Sequence, residues 1–560
     1  MNTARRLLPQ TADWQALRRQ PGRDLLAGLT VAIVALPLAL GFGVASGLGA
    51  AAGLTTAVVA GAIAAVFGGS NLQVSGPTGA MTVVLVPIVA QFGPGGVLTV
   101  GLLAGLILIL LALARAGQAV RYLPAPVIEG FTAGIAGVIL LQQIPAALGV
   151  DVHGERVLAL AGRAVTAFAG QPQWPSLLIA LTVAAAMLGG ARWRPTMPFS
   201  LLAVVVVTAV TVLSGLPVAT IGVLPATLPA PSLGFLDLAA VPALVTAAIA
   251  VAALAALESL LSATVADGMS VGQRHDPDRE LFGQGVANLV TPLFGGVPAT
   301  AAIARTAVNV RAGAGSRLAA LSHALILSLI LLVAAPLVSQ IPLAALAGVL
   351  IATAIRMVEV SALAALARAS RSDGLVMALT AATTVLLDLV TAVLVGLVVA
   401  GGLALRKIAQ AVRLDRVPLD TADHRTEERT LLAEHIVAYR LEGPLFFVAA
   451  HRFLLELADV ADVRVVILRM SRVSTIDASG ALVLRDVVER LEQRGTAVYL
   501  SGVRPEHRKA LAAFGMLSRP DGPGRVFPDT PEAIAAARTH LGLPDPGGVI
   551  GSDRCAPNPR

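Results

Sequence analysis

Long apolar stretches follow one another from Asp24 to Leu405 with few charged interruptions, and beyond Arg406 the chain takes on an ordinary soluble pattern. A helix crosses the hydrocarbon core of a bilayer in about 20 residues, fewer where the path is broken or lies inside protein. On that ruler the apolar runs predict fourteen spans, at 24–45, 50–67, 76–92, 97–115, 124–146, 174–191, 197–214, 240–267, 279–293, 302–313, 318–336, 342–363, 373–387 and 389–406. The stretch 153–169 is amphipathic and reads as a helix lying along the outer surface. Residues 1–23 form a polar N-terminal segment, 24–406 the membrane domain and 407–431 a charged linker. From 432 to 541 the pattern is soluble α/β. There His435–Leu441 alternates as a strand, Val463–Leu468 is a short buried strand, Leu482–Leu491 has helical spacing and Val498–Leu500 completes another strand. The final segment, 542–560, is rich in Pro, Gly and polar residues and reads as a disordered tail.

The charges orient this chain. Cytoplasmic loops carry an excess of Lys and Arg. With Arg5, Arg6, Arg18, Arg19 and Arg23 inside, every even-numbered span should end in the cytoplasm. Those ends carry Arg115 and Arg121, Arg192 and Arg194, Arg274 and Arg279, Arg311 and Arg317, Arg368 and Arg371, then Arg406 and Lys407. Only the second span lacks them, ending in a very short polar turn. The outward connections are nearly free of such charge apart from Arg156 and Arg163. Trp174 and Trp193 bracket the sixth span, as interfacial anchors do. Both termini are therefore expected in the cytoplasm, with the chain multi-pass in the cell's inner (plasma) membrane.

An internal echo adds symmetry. Phe67-Gly68-Gly69 ends the second span and Phe294-Gly295-Gly296 ends the ninth, each followed by a short polar or proline-bearing piece and an Ala/Thr-rich segment. Seven spans separate them, so two seven-span halves would enter from opposite sides. That is an inverted repeat, common among secondary transporters.

Composition narrows the class. Hydrophobic residues make up 56% of the 560 and charged residues only 13%, against roughly a quarter charged in soluble domains. The net charge of +7 lies in loops between spans, with aromatics at 4%, which points to membrane topology and away from nucleic acid. The single cysteine, Cys555, excludes an internal disulfide or a cysteine metal cluster. No small-residue cleavage site follows the basic N-terminus, so no cleaved signal is expected. No His, Cys, Asp or Glu cluster has metal-site spacing, and no phosphate-binding Gly-Lys-Thr/Ser loop appears. These readings predict a transporter without a cofactor and not an ATP-driven one. No nucleophile, base and orienting group can be assembled from the spans, so an enzyme is not expected.

In a broken-helix transporter the substrate lies where interrupted spans meet. The candidate segments are Gln73-Val74-Ser75-Gly76-Pro77-Thr78-Gly79-Ala80 and Gly296 through Thr306. In each, a helix would begin inside the protein, where its first N–H groups lack partners and its dipole is positive. Two such starts aimed at one cavity make an anion site. Ser75, Gly76, Thr78, Gly79, Ala304 and Thr306 would line it, and Arg305 would add a full charge unless it snorkels to the headgroups. Glu258 is the clearest intramembrane carboxylate. Burial would favour its protonated form at neutral pH, which suits proton coupling. Alternatively it binds Na⁺ with Ser262 one turn away, or pairs with Arg305. Glu129, His323, Glu359 and Asp388 read as structural.

Several of these segments resemble the SulP (solute carrier 26) anion transporters. Glu258-Ser259-Leu260-Leu261-Ser262-Ala263 through Ala266-Asp267-Gly268-Met269 is similar to that family's eighth span, and Phe294 through Asn309 to its tenth. Ser75-Gly76-Pro77-Thr78 resembles the start of its third span and Pro126 through Gly134 its fifth. Ile476-Asp477-Ala478-Ser479-Gly480 resembles the STAS domain. The resemblance implies a core of spans one to four and eight to eleven, and a gate of spans five to seven and twelve to fourteen. The core would move against the gate as an elevator, usually within a homodimer, with the anion between the third and tenth helix starts. Family substrates include sulfate, bicarbonate, chloride and dicarboxylates. Na⁺–bicarbonate members typically place Asp and Thr where this chain has Glu258 and Ser262, and that departure favours proton symport. A passive channel or exchanger with the same fold is the remaining alternative. The STAS resemblance implies regulation, with Ser479 as a phosphorylation position, and a cytoplasmic protein as a partner. Asp477 or Ser479 would otherwise simply cap the following helix.

Overall fold

The computed structural model describes residues 6–18, 20–118, 124–152, 156–194, 197–270, 273–387, 389–411, 413–416, 431, 434–445, 463–517 and 524–543. Arg5, Arg19, Arg121 and Asp388 lie outside them, as do linker residues 417–430 and the 544–560 tail with Cys555. The chain divides into two compact units, Met1–Ala400 and Gly401–Arg560.

The first unit is helical. A short helix α1 (Thr11–Gln15) precedes α2 (Pro21–Ala45), α3 (Ala50–Phe67), α4 (Gly79–Leu113), α5 (Ala125–Leu148), α6 (Val157–Gly170), α7 (Trp174–Trp193) and α8 (Phe199–Leu213). Then come α9 (Val241–Met269), α10 (Pro277–Val290), α11 (Ile303–Arg311), α12 (Leu318–Val338), α13 (Leu343–Met357), α14 (Val360–Ala369), α15 (Arg371–Leu386) and α16 (Leu389–Ala411). Among the described residues, eight helices are long and apolar enough to cross a membrane. The remaining expected spans are shorter helices, or share one.

Three expectations need correction. The third and fourth spans are one continuous element, α4, broken at Gly93 (φ 67°) ahead of Pro94. A positive φ suits glycine, and the proline ring cannot continue the preceding ladder. The third span begins at Gly79 and not at 76, because Ser75–Gly76 form a strand, β1. The tenth is the nine-residue α11. At 1.5 Å per residue nine residues reach only about 14 Å, too short to cross alone. Its approach is extended, and Thr300–Ala301 form β2.

Helix packing sorts into two groups. In one, α4 lies against α9 and α10, α3 against α10 and α12, and α2 against α3 and α12. In the other, α5 lies against α13 and α15, and α13 against α7. Glycines set the closest approaches: a Cβ on Gly105 of α4 would lie 2.7 Å from the Gly285 oxygen of α10. Gly134 of α5 lets Thr384 of α15 in equally closely. Small residues thus bring backbones together where apolar lipid provides no drive to associate.

Polar side chains tie the start of the chain to the first group. Asp13 of α1 bonds Arg279 Nη2 at 2.6 Å, and Arg317 Nη2 lies 3.6 Å from it. Arg6 reaches Asp276 at 2.9 Å. Asp24 accepts from the Gly315 and Ser316 N–H groups and from the Ser316 hydroxyl.

The second unit is a five-stranded sheet, ordered β3 (Arg413–Arg416), β4 (Ile436–Leu445), β5 (Val465–Ile476), β6 (Ala497–Ser501), β7 (Val526–Phe527). β3 pairs antiparallel with β4 and the other pairs are parallel. Helices α17 (Ala478–Gln493), α18 (Pro505–Ala513) and α19 (Thr530–Leu541) flank it. Two buried apolar clusters, one around Leu484 and Val488 and one around Ile534 and Ala537, lie on its two sides. A parallel sheet buried on both faces explains the near-continuous apolar run of β5.

Candidate anion site

The two candidate segments meet. β1 and β2 pair antiparallel, Ser75 opposite Ala301 and Gly76 opposite Thr300, so the two helix starts that follow, α4 and α11, leave one crossing. A two-residue ladder satisfies few backbone groups, and side chains of α9 and α10 satisfy others. Asn288 of α10 donates to the Ala299 oxygen and accepts from the Ala299 N–H, both at 2.8 Å. Gln284, one turn earlier, donates to Ser75 Oγ at 2.6 Å and to Glu280 Oε1 at 2.9 Å. Glu280 Oε2 accepts from the Gly69 and Ser70 N–H groups. On the other side Ser259 Oγ accepts from the Ala301 N–H. Thr300 Oγ1 donates to the Ala255 oxygen, so in the 2.9 Å contact between the two hydroxyls Ser259 is the donor.

The charged residues converge on the first helix start. Thr78 is the N-cap of α4; its hydroxyl oxygen accepts from the Met81 N–H, and its proton goes to Glu258 Oε2 at 2.8 Å. Arg305 Nη2 donates to the carbonyl of Pro77 at 2.7 Å. Glu258 and Arg305 therefore hold consecutive residues, 78 and 77, and each has its bond there and not with the other. Arg305 is 1% exposed, which removes the snorkelling alternative, and its Nη1 has no hydrogen-bond partner. Gly76, at φ 154°, makes room for it: a Cβ there would lie 2.5 Å from Nη1. Glu258 keeps partial exposure.

The remaining expected residues divide. Gly79 faces the second helix group, since a Cβ there would meet Ile139 of α5 at 2.3 Å. Ala304 is exposed at the start of α11, which no side chain caps. Ser262 and Thr306 face inward: Ser262 Oγ donates to Thr306 Oγ1 at 3.0 Å, and Thr306 Oγ1 also accepts from the Val74 N–H. Both are buried and bind α11 to α9 and to the strand. Glu129 lies on α5 and Glu359 is exposed between α13 and α14, both in the other group. An anion beside Ala304 and Thr78 would meet unpaired N–H groups, two helix dipoles and one guanidinium in a low dielectric, all of which favour negative charge.

Sequence reasoning missed Glu280, Gln284 and Asn288. A signal existed: Glu280, Gln284 and Asn288 recur every four residues, one face of a helix inside an apolar span. In the second unit, Asp477 is the cap of α17, accepting from the Gly480 N–H at 2.6 Å, and Ser479 is exposed in the first turn.

The sulfate permease family model matches residues 22–380, and the STAS domain model matches 430–533. The chain is 35% identical over 509 residues to YvdB of Bacillus subtilis, named as a candidate sulfate transporter, covering 89% of this chain and 94% of that one. It is 30% identical over 519 residues to the bicarbonate transporter BicA of Picosynechococcus, covering 89% and 91%. The solved transmembrane domain of a cyanobacterial BicA superposes with a TM-score of 0.63 at 33% identity, covering 67% of this chain and 98% of that domain. The murine Slc26a9 anion transporter superposes with a TM-score of 0.78 over 92% of this chain and 91% of that one, a likeness of fold at 18% identity.

Proposed function

This chain belongs to the sulfate permease family and is a multi-pass membrane anion transporter, and from that premise we propose that it is a proton-coupled symporter of sulfate, bicarbonate or a dicarboxylate. The observation that carries the proposal is the docking of Arg305 and Glu258 on adjacent residues of one helix start. Arg305 offers a free N–H to the anion. Glu258 accepts from Thr78 in either protonation state, so it can gain or lose a proton without surrendering that bond. A proton on Glu258 cancels a negative charge close to where the anion binds, and the loaded site then carries less net charge through the membrane. The first helix group would carry the site past the second as an elevator, in a homodimer in the plasma membrane with both termini cytoplasmic. The STAS unit, with Ser479 exposed at the start of α17, would be the regulatory contact for a cytoplasmic protein.

A second reading, Na⁺-coupled bicarbonate symport, is favoured by the identity to the bicarbonate transporters. The Ser262 hydroxyl donates to Thr306 and Glu258 accepts from Thr78, so the two bond different partners. A passive channel or exchanger would need no coupling carboxylate at all.

The test is uptake into proteoliposomes at fixed voltage. Sulfate, bicarbonate, chloride and fumarate are each offered with an inward proton or Na⁺ gradient, to the wild type and Glu258→Gln. Uphill uptake driven by protons and lost in Glu258→Gln is expected. Uptake driven only by Na⁺ selects the second reading, and flux that is never uphill and ignores Glu258 refutes both.

A further inference from the structure

Gly79, the first residue of α4, has no side chain to cover the helix start, and two other residues cover it instead. A Cβ built there would overlap Cδ1 of Ile139, 3.2 Å from its Cγ1, and would lie 3.0 Å from Cε1 of Phe42. The Ile139 methyl thus occupies the space that a side chain at residue 79 would need. Cα–Cβ bonds of a helix tilt toward its N-terminus, so that space overhangs the first turn. Thr78 takes the N–H groups of Met81 and Thr82. Those of Gly79 and Ala80 come before them and have no hydrogen-bond partner among the described residues. An anion drawn to these two groups has an aliphatic methyl beside it.

The two covering residues come from different helix groups. Phe42 lies on α2, in the group that holds the site, whereas Ile139 lies on α5, in the other. Ile139 is 2% exposed and purely aliphatic, so it offers an anion neither charge nor hydrogen bond and acts by its bulk alone. The same second group makes one comparable contact on the first. Leu350 of α13, 1% exposed, lies 3.2 Å from the Cβ position of Gly41 of α2. Gly41 is inside its helix and Gly79 is at the start of its own. Leu350 therefore packs a helix flank, and Ile139 packs a helix start.

We propose that Ile139 is a specificity-determining residue of the transporter: its methyl walls the α4 helix start and sets the longest anion that the start admits. This rests on the reading of the α4 and α11 starts as the anion site. Arg305 and the free N–H groups bind negatively charged oxygens, and a short and a long carboxylate present the same ones. The difference lies in the carbons behind the charge, and an apolar wall rejects those by contact. An isoleucine is stiff at χ1, and in close-packed surroundings it cannot swing aside, so the cut-off in length is sharp.

The experiment uses the full chain in proteoliposomes and the uptake of whichever of sulfate, bicarbonate or fumarate the wild type transports. Formate, acetate, propionate and butyrate are added as inhibitors at one pH. They share one charge and one headgroup and differ in length. The readout is the inhibition constant of each acid divided by that of formate, a ratio independent of how much protein is folded. One methylene against a pocket wall shifts binding by about 10- to 200-fold. Ile139→Ala should therefore lower the propionate ratio by about tenfold or more. Ile139→Val, which removes only Cδ1, should lower it by about threefold, and it decides alone where Ile139→Ala does not fold or transport. Leu350→Ala, an equally buried truncation in the same helix group, should leave the ratios within about twofold of wild type. Wild-type ratios in the active Ile139 variants overturn the proposal. So does an equal shift in Leu350→Ala, or a series that inhibits neither the wild type nor the Ile139 variants. The anion-site reading fails on a different result, a wild-type KM in Gly76→Ala.

Discussion

Gly76→Ala should damage the anion site through a single methyl group. In the structure that carbon would lie 2.5 Å from Arg305 Nη1 and 3.3 Å from the Cα of Ala57, with the backbone at φ 154°. Nonbonded heavy atoms settle near 3.5 Å, so the guanidinium would have to retreat by about 1 Å. It has no free direction, being 1% exposed and tied to the Pro77 carbonyl at 2.7 Å. A charge-assisted hydrogen bond contributes about 1.5–3 kcal/mol, and losing most of it shifts anion affinity by about 10- to 100-fold. The matched control is Gly61→Ala on the facing helix. Its Cβ would meet neighbours no closer than 3.4 Å, an ordinary contact, so KM should change by less than about twofold. The assay is the KM for the transported anion in proteoliposomes, at equal protein and with thermal melting of both variants in detergent. The reasoning is refuted if Gly76→Ala keeps the wild-type KM, or if Gly61→Ala does equal harm.

Three further outcomes can be checked. Asn288→Leu should lower the melting temperature of the membrane unit by leaving both the N–H and the carbonyl of Ala299 unpaired, about 2–5 kcal/mol for two buried backbone groups. Burial acts to raise the Asp13 carboxyl, but the bonds from Arg279 and the Gln10 N–H and the charges of Arg317 and Arg279 outweigh it and hold it below the usual Asp range. The clamp it makes is therefore complete at neutral pH and is lost as pH falls through that lowered value. Asp13→Asn should cost about 1–3 kcal/mol at pH 7, and the difference in melting temperature from wild type should shrink in acid. Gly480→Ala should unfold the start of α17, because its Cβ would lie 2.1 Å from the Leu445 oxygen. Asp477→Ala should weaken that start by only about 1 kcal/mol, and hydrogen exchange of 478–482 separates the two.

The sequence shows some parts of this molecule better than others, for physical reasons. Apolar runs and Arg-bearing loops report the solvent on either side of each helix, so α2, α3, α5, α7, α9 and α12 fall close to where hydropathy puts them. The broken spans were readable because Gly, Pro and Thr cluster there against a background of Leu and Val. The pairing of Ser75 with Ala301 was not readable, since it joins residues more than two hundred apart. Nor was the partner of Glu258: a carboxylate one helix away from both Arg305 and Thr78 can choose either, and only the distance decides. Spacing offers Thr306 as a lining residue and Ser262 as a Na⁺ ligand, but it does not show that their hydroxyls bond each other. Glu280, Gln284 and Asn288 repeat on one face, but an amide on an apolar span does not say which backbone it will satisfy.

The brevity of α11 bears on how the protein is made. Nine residues that include Arg305, Asn309 and Arg311 form too short and too polar a stretch to be retained by a bilayer when presented alone. The extended residues before it have backbone groups that bond β1, Asn288, Ser259 and Val74. This segment must therefore wait in a watery or proteinaceous shelter during synthesis until α9 and α10 are in place to receive it. Mutations that weaken the α10 amides should accordingly appear as chains degraded at birth, with the transport defect hidden behind a shortage of finished protein.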